Sequence, residues 1–415
     1  MKKVVVIGGG FAGLWSAAGA IRRAIELGKE NEVEVTMVSR ESFFSARPRN
    51  YEHDLSATRV PLERVLKPIG VKNVEGNVEG IDFDNKKVTV SSSSGSFALP
   101  YDKLVLATGS SLHKPNIPGL KEHAFSVDTY HEATKLNQHL DTLVSKKSFV
   151  GSYTVVVIGA GFTGLEVATE MVSTLKRIAK NNGVDPSAVR IILVDRSGIA
   201  SEFSEEARAV INEAITDMGI ESYTSVTVQS ISEEGVVLSD GTKIPAFTTI
   251  WTAGVKASPL TALFPVERDN FDRLPVDEYM RVVGMTDVYA AGDCARVLTD
   301  ETNVAMMSCQ HAQPQGKFTG YNITSDLYKQ DPLPYKQPNY VTCLDLGEWG
   351  GLLTEGWNRK VISKGKEAKE IKINVNTKFI MPPMDDKEVI LNEAAPKYIA
   401  TLDDHLPDRF REDTK

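Results

Sequence analysis

Apolar positions along this chain fall in short β-branched runs, each followed by a longer stretch with helical spacing. That alternation predicts an α/β fold built on parallel sheets. Val4 to Ile7 is the first run, apolar throughout, as a strand buried on both faces must be. Phe11 to Leu27 follows with small residues on its packing face and predicts a helix, and Val33 to Val38 predicts the next strand. Val88 to Val90 and Phe97 to Leu99, divided by Ser91-Ser92-Ser93-Ser94-Gly95, predict a hairpin. Tyr101 to Ala107 predicts a strand that stops at Thr108-Gly109.

The plan then restarts. Val155 to Ile158 is a second buried run, followed by a helix to about Ile178 and a strand at Ile191 to Val194. Ser239-Asp240-Gly241-Thr242 marks another hairpin turn, and Thr249 to Trp251 predicts a strand that stops at Thr252-Ala253-Gly254. A restart after ~150 residues marks a duplicated domain and not a solenoid. From about Pro332, Lys, Glu and Pro become more frequent and the periodicity fades, which predicts a third, smaller unit.

Both first strands run into the same glycine pattern. Gly8-Gly9-Gly10-Phe11-Ala12-Gly13 and Gly159-Ala160-Gly161-Phe162-Thr163-Gly164 each read G-x-G-x-x-G between a strand and a helix. In that setting the first glycine permits a tight turn and the second lets a pyrophosphate approach the backbone. The third lets the helix pack closely on the strand. The diphosphate charge then meets the positive end of the helix. A glycine-rich turn without a ligand is the bland alternative. Two copies in one chain, each followed later by a strand ending in Thr-Gly or Ala-Gly, argue against it and for two Rossmann-like dinucleotide-binding domains.

The end of the second strand should carry an acid that accepts the ribose hydroxyls. Asp195 fits in the second domain, and the polar insertion Lys180 to Ala188 accounts for its longer than usual distance from Gly164. A carboxylate there repels a 2′-phosphate and favours NADH; the adjacent Arg196 keeps NADPH open. In the first domain the matching position is Ser39, followed by Arg40. A hydroxyl binds ribose less strongly than a carboxylate.

Composition narrows the partners. The 415 residues suffice for two or three domains with a large core. Lys and Arg number 47 against 55 Asp and Glu, a net charge of −8, so the chain offers no basic excess for a nucleic acid backbone. The 3 cysteines, Cys294, Cys309 and Cys343, form no C-x-x-C pair. They support neither a disulfide framework nor a four-ligand zinc site, and no metal is expected. We read them as buried small hydrophobes in a reducing, cytoplasmic compartment. No signal peptide is expected at Met1-Lys2-Lys3, and no apolar stretch approaches the ~20 residues needed to span a bilayer.

At Ala291-Gly292-Asp293-Cys294 the pattern resembles the flavoprotein superfamily with two dinucleotide-binding folds. Within it the chain looks most like the type II NADH dehydrogenases, from Met1 to about Gly316. Besides the second glycine motif, which continues into Leu165-Glu166, the resemblance rests on three segments. These are Trp251-Thr252-Ala253-Gly254-Val255, Leu274-Pro275-Val276-Asp277-Glu278-Tyr279 and Cys309-Gln310-His311-Ala312-Gln313-Pro314-Gln315-Gly316. In the last, Pro314 stands where family members often carry another glutamine.

The resemblance implies an FAD-binding domain at residues 1–120 and 272–331, an NAD(P)H-binding domain at 121–271 and a C-terminal interface domain at 332–415. It implies FAD held by Gly8, Gly10, Phe11, Ala12, Gly13, Ser39, Arg40, Arg47, Ala107, Thr108, Gly109, Gly292 and Asp293, with Gln310, His311 and Ala312 beside the flavin. NADH would be held by Gly159, Gly161, Phe162, Thr163, Gly164, Asp195, Ala253 and Gly254. Glu166 and Gln310 are the expected catalytic residues, lining the side where nicotinamide or acceptor meets the ring. Arg47 and Arg49 are the cations available to the cofactor, with surface salt bridges as the alternative. No cysteine precedes Cys294, so the cysteine pair of the disulfide reductases is missing and electrons should leave directly from the flavin.

The acceptor implied is a quinone. The alternative is a soluble NAD(P)H-dependent flavoprotein reductase acting on another small molecule or a redox-protein partner. Membrane-bound members end in apolar amphipathic helices, whereas Asn392 to Lys415 is polar and acid-rich here, so at most peripheral contact with the cytoplasmic membrane face is expected. Leu346 to Gly351 and Trp357 are expected to pack on the flavin domain or on a partner in a homodimer.

Overall fold

The structure, a computed structural model, describes residues 1–146 and 150–405; the last part of the acid-rich tail, residues 406–415, lies outside the described residues. β1 (Lys2–Ile7) is buried from Val4 onward and turns through the first glycine loop into α1 (Phe11–Glu26). β2 (Val33–Ser39) and β3 (Lys72–Glu75) extend the sheet on one side, and β4 (Lys103–Leu106) pairs on the other. All these pairs are parallel, so each connection crosses a face of the sheet, as α1 does between β1 and β2.

β5 (Ala124–Phe125), β6 (Thr154–Ile158), α2 (Phe162–Asn181), β7 (Arg190–Asp195), β8 (Glu221–Thr224) and β9 (Thr248–Trp251) build a second parallel sheet. Its order is β5-β9-β6-β7-β8. Only afterwards does β10 (Val288–Ala290) complete the first sheet, in the order β10-β4-β1-β2-β3. The two sheets share one topology, and the α/β reading with two Rossmann-like folds holds. Alternation along the strands divides the second core in two. Val155, Val157, Ile191 and Leu193 pack on the α2 side, while Val156, Ile158, Ile192 and Val194 pack on the other with Leu238 and Ile244.

Two antiparallel segments, Ser110–Leu112 and Val255–Ala257, carry the chain out of the first sheet and back. α3 (Cys309–Leu327) then lies against α1 so closely that a Cβ on Gly316 would come within 2.3 Å of the Ala12 carbonyl oxygen. A Cβ on Gly320 would sit 2.4 Å from that of Ser16. β11 (Val341–Asp345), β12 (Gly351–Glu355) and β13 (Lys360–Gly365) form an antiparallel sheet, followed by α4 (Lys366–Asn374).

This last unit corrects one expectation. Leu344, Leu346 and Leu352 join the core beside α2, and Trp349 Nε1 donates to Asp217 at 3.0 Å. The Leu346 to Gly351 segment therefore packs on the second nucleotide-binding sheet, because its apolar residues face that helix. Trp357 stacks on Tyr340, ring centroids 4.7 Å apart.

Candidate active site

Both glycine loops open into one cavity of about 2570 Å³. That is more than twice the upper end of the ~300–1,000 Å³ usual for a small-molecule pocket, room enough for two extended ligands. Gly8 has φ 119° and Gly159 φ 106°, where a side chain would be strained. A Cβ on Gly13 would lie 1.9 Å from the Gly8 carbonyl oxygen, and one on Gly164 1.8 Å from that of Gly159. The third glycine of each motif is thus a packing glycine beneath the loop. Neither helix has a side-chain cap or an acid in its first turn, so its amide groups are left for an anion.

Of the residues expected to hold FAD or NADH or to take part in catalysis, all line this cavity except Gly13 and His311; Arg49 does not line it either. Four of the lining residues, Asn50, Thr108, Ser308 and Asn376, hold a buried oxygen with no partner. Such atoms call for a polar ligand.

At one wall, Glu166 is buried on α2, with an oxygen 2.8 Å from Lys372 Nζ, itself buried on α4. The same oxygen accepts the Asp345 N–H at 3.1 Å. Asp345 in turn accepts from Tyr51 Oη–H at 2.9 Å and pairs with Lys369, and Asn376 donates to Tyr51 at 3.1 Å. Burial pushes the Glu166 carboxyl up to about 7, against the pull of the Lys372 ammonium. Burial also works against the charge on Lys372, and Glu166 outweighs it, leaving the amine above its ordinary value. Tyr51 is raised by burial and by Glu166 and Asp345.

Gln310 spends its side-chain amide on one backbone partner. Its Nε2 donates to Val341 O at 2.5 Å and its Oε1 accepts from Val341 N at 3.2 Å. It therefore anchors α3 to β11 at the cavity edge. Pro314 removes the amide that would bond the Gln310 carbonyl, and Gln337 Nε2 donates there instead at 3.2 Å. His311 does not line the cavity, although it lies beside Gly292, Asp293 and Ala312, which do. Its imidazole stacks on Tyr340 and Trp357, Nδ1 lies 3.2 Å from Gln337, and burial lowers its pKa to about 4.

The two expected cations differ. Arg49 is buried, forked onto Glu52 and bonded to the Ala57 carbonyl, so it is structural. Arg47 reaches the cavity but is paired with Asp128 and bonded to Ser110. Asp195 lines the cavity at the end of β7 while its oxygens accept from Ala160 N at 2.8 Å and Ser197 N at 2.7 Å, which holds the second glycine loop. All three cysteines are free thiols; Cys294 is buried as expected, whereas Cys309 and Cys343 are only partly buried and line the cavity. Burial pushes Cys294 and Cys309 up to about 11 and Cys343 to about 12.

With this geometry in view, residues 2–316 match the pyridine nucleotide-disulphide oxidoreductase family. The chain belongs to that family. It is 45% identical to an NADH dehydrogenase-like protein of Mycobacterium tuberculosis over 401 residues, 96% of this chain and 99% of the relative. It is 29% identical to a type II NADH:quinone oxidoreductase of Staphylococcus aureus over 378 residues, covering 85% and 89%. The fold matches that of NDH2 from Plasmodium falciparum in complex with NADH, with TM-score 0.73, 15% identity and 90% and 93% coverage. It also matches the sulfide:quinone oxidoreductase of Aquifex aeolicus, with TM-score 0.72, 20% identity and 92% and 91% coverage.

As a member of this oxidoreductase family the chain is an enzyme, and the sequence reading missed part of its cavity wall. Lys372 and Asn376 line the cavity beside Tyr51, and Asp345 stands behind them. The signal available was weak: Lys372 sits among lysines and glutamates that read as a solvated helix.

Proposed function

We propose that this enzyme holds FAD in residues 1–120 with 272–331 and binds NADH in residues 121–271. Its electrons go to a quinone without a redox-active disulfide. The observation that carries the reading is the single cavity shared by both glycine loops, Asp293 and Glu166. Bound FAD supplies the ring that accepts a hydride and gives up electrons, chemistry that no side chain offers.

The protein's share is to bind and orient. The amides that open α1 and α2 suit two diphosphates, and Asp195 suits the ribose of NADH. Thr108 Oγ1, buried and unpartnered beside the first loop, suits a ligand hydroxyl or phosphate. Lys372 holds the Glu166 carboxyl in the wall, and a carboxyl that titrates at about 7 can keep or release a proton at neutral pH. Thiols held protonated by burial are poor nucleophiles, which supports direct transfer from the flavin.

The S. aureus relative supports quinone as the acceptor. Among the described residues no helix is long and apolar enough to cross a membrane. The proposal puts the enzyme in the cytoplasm, with at most peripheral membrane contact. Steady-state NADH oxidation with a soluble quinone, ferricyanide, oxygen or a ferredoxin ranks the acceptors. The quinone should give the highest kcat/KM. A negligible quinone rate beside rapid reduction of another acceptor would overturn that part of the proposal.

A further inference from the structure

A directed chain of hydrogen bonds links the two nucleotide-binding units beside Asp293. Arg47 Nη2 pairs with Asp128, which follows β5 of the second sheet. Arg47 Nη1 donates to Ser110 Oγ at 2.7 Å and to its carbonyl at 3.2 Å. A guanidinium only donates, so Ser110 Oγ accepts there and its one hydrogen goes to Asp293 Oδ2, at 2.6 Å. Arg47 Nη1 stands 3.8 Å from that same oxygen. The other oxygen of Asp128 accepts the Leu112 amide at 3.0 Å, on the segment that leaves the first sheet. Each bond in such a chain polarises the next.

We propose that Arg47 is a positioning residue. Through Ser110 it fixes the carboxylate of Asp293 toward the flavin, and through Asp128 it ties that grip to the edge of the nicotinamide-binding sheet. This rests on FAD occupying the first domain with Asp293 as one of its ligands. Lys could not replace Arg47, because a single ammonium lacks the fork that spans Asp128 and Ser110 together.

FAD-stripped enzyme titrated with FAD, followed by flavin fluorescence, tests the proposal without catalysis. Asp293→Asn and Ser110→Ala should each raise Kd about 10-fold or more, the scale of a lost hydrogen bond to a charged group. Ser110→Thr, which keeps the hydroxyl, should bind as the parent does. Arg47→Met should cost about 10-fold in the parent and almost nothing in the Asp293→Asn background. An equal loss in both backgrounds would show a merely structural arginine and overturn the proposal, as would unchanged binding by Ser110→Ala. If Asp293→Asn itself binds FAD normally, the flavin-site reading fails and the proposal with it. If Asp293→Asn binds poorly while Ser110→Ala and Arg47→Met bind normally, the reading stands and only the proposal falls. Should Arg47→Met not fold by circular dichroism, the Ser110→Ala and Ser110→Thr pair decides.

Discussion

Glu166 is a carboxyl taken almost wholly out of water, and its chemistry follows from that. Its pKa rises from the ordinary 4.5 to about 7, so between those values the native state keeps a proton that the unfolded chain has lost. Its contribution to stability is therefore full below 4.5 and is lost as pH rises through about 7. If the protonated carboxyl serves the acceptor, quinone reduction should fall as pH rises through about 7. Glu166→Gln should flatten that limb, and stopped-flow rates of quinone-driven reoxidation across pH 5.5–8.5 would check it. Lys372→Met removes only one partner of a buried pair and should destabilise by about 3–5 kcal/mol. Glu166→Leu with Lys372→Met should recover most of that loss; urea unfolding of the three proteins measures both. Glu166 was legible from its motif, whereas Lys372 was not, because hydrophobic periodicity cannot find a buried position that carries a charge. The direction of His311 was hidden for a related reason: its sequence neighbours fix where its Cα lies, and aromatic residues from the segment before β11 and the turn between β12 and β13 fix where its ring points.

At the scale of elements, the legible features are those the backbone demands. The G-x-G-x-x-G loops could be read because few sequences allow a strand to turn within three residues onto a helix end. Gly316 was visible only as part of a resemblance, and the structure gives it a cause: α3 and α1 touch through backbone. Gly316→Ala should push the helices apart, cost about 1–3 kcal/mol by overpacking and lower the flavin retained on purification. Thermal unfolding of the apo-protein with flavin content checks this, and a parent-like Tm with full flavin would contradict it. The third unit was less legible. Its antiparallel strands are short, and α4 turns only Ala368 and Lys372 fully inward, so the apolar stripe that marks most helices is missing.

At the scale of the whole molecule, two sheets of one topology bring their glycine loops to a shared cavity, and residues from the third unit close one wall of it. Part of the acid-rich tail belongs to that wall: Lys397, Ile399, Leu402, Asp404 and His405 all line the cavity. From the sequence the tail pointed only to weak membrane contact, because its composition is polar and its apolar residues are sparse. Ending the chain at Ala395 should therefore raise the KM for quinone several-fold while leaving anaerobic reduction by NADH near the parent rate. Equal KM values would show that this wall plays no part in acceptor binding.

The central claim is that the two glycine loops serve FAD and NADH in one electron path. Anaerobic titration of the purified, FAD-loaded enzyme with NADH, followed by flavin absorbance, tests it most directly. One equivalent of NADH per flavin should bleach it completely, NADPH should act much more slowly, and a soluble quinone should restore the yellow colour in full. A protein that binds no FAD, or whose bound flavin NADH leaves oxidised, would contradict the claim.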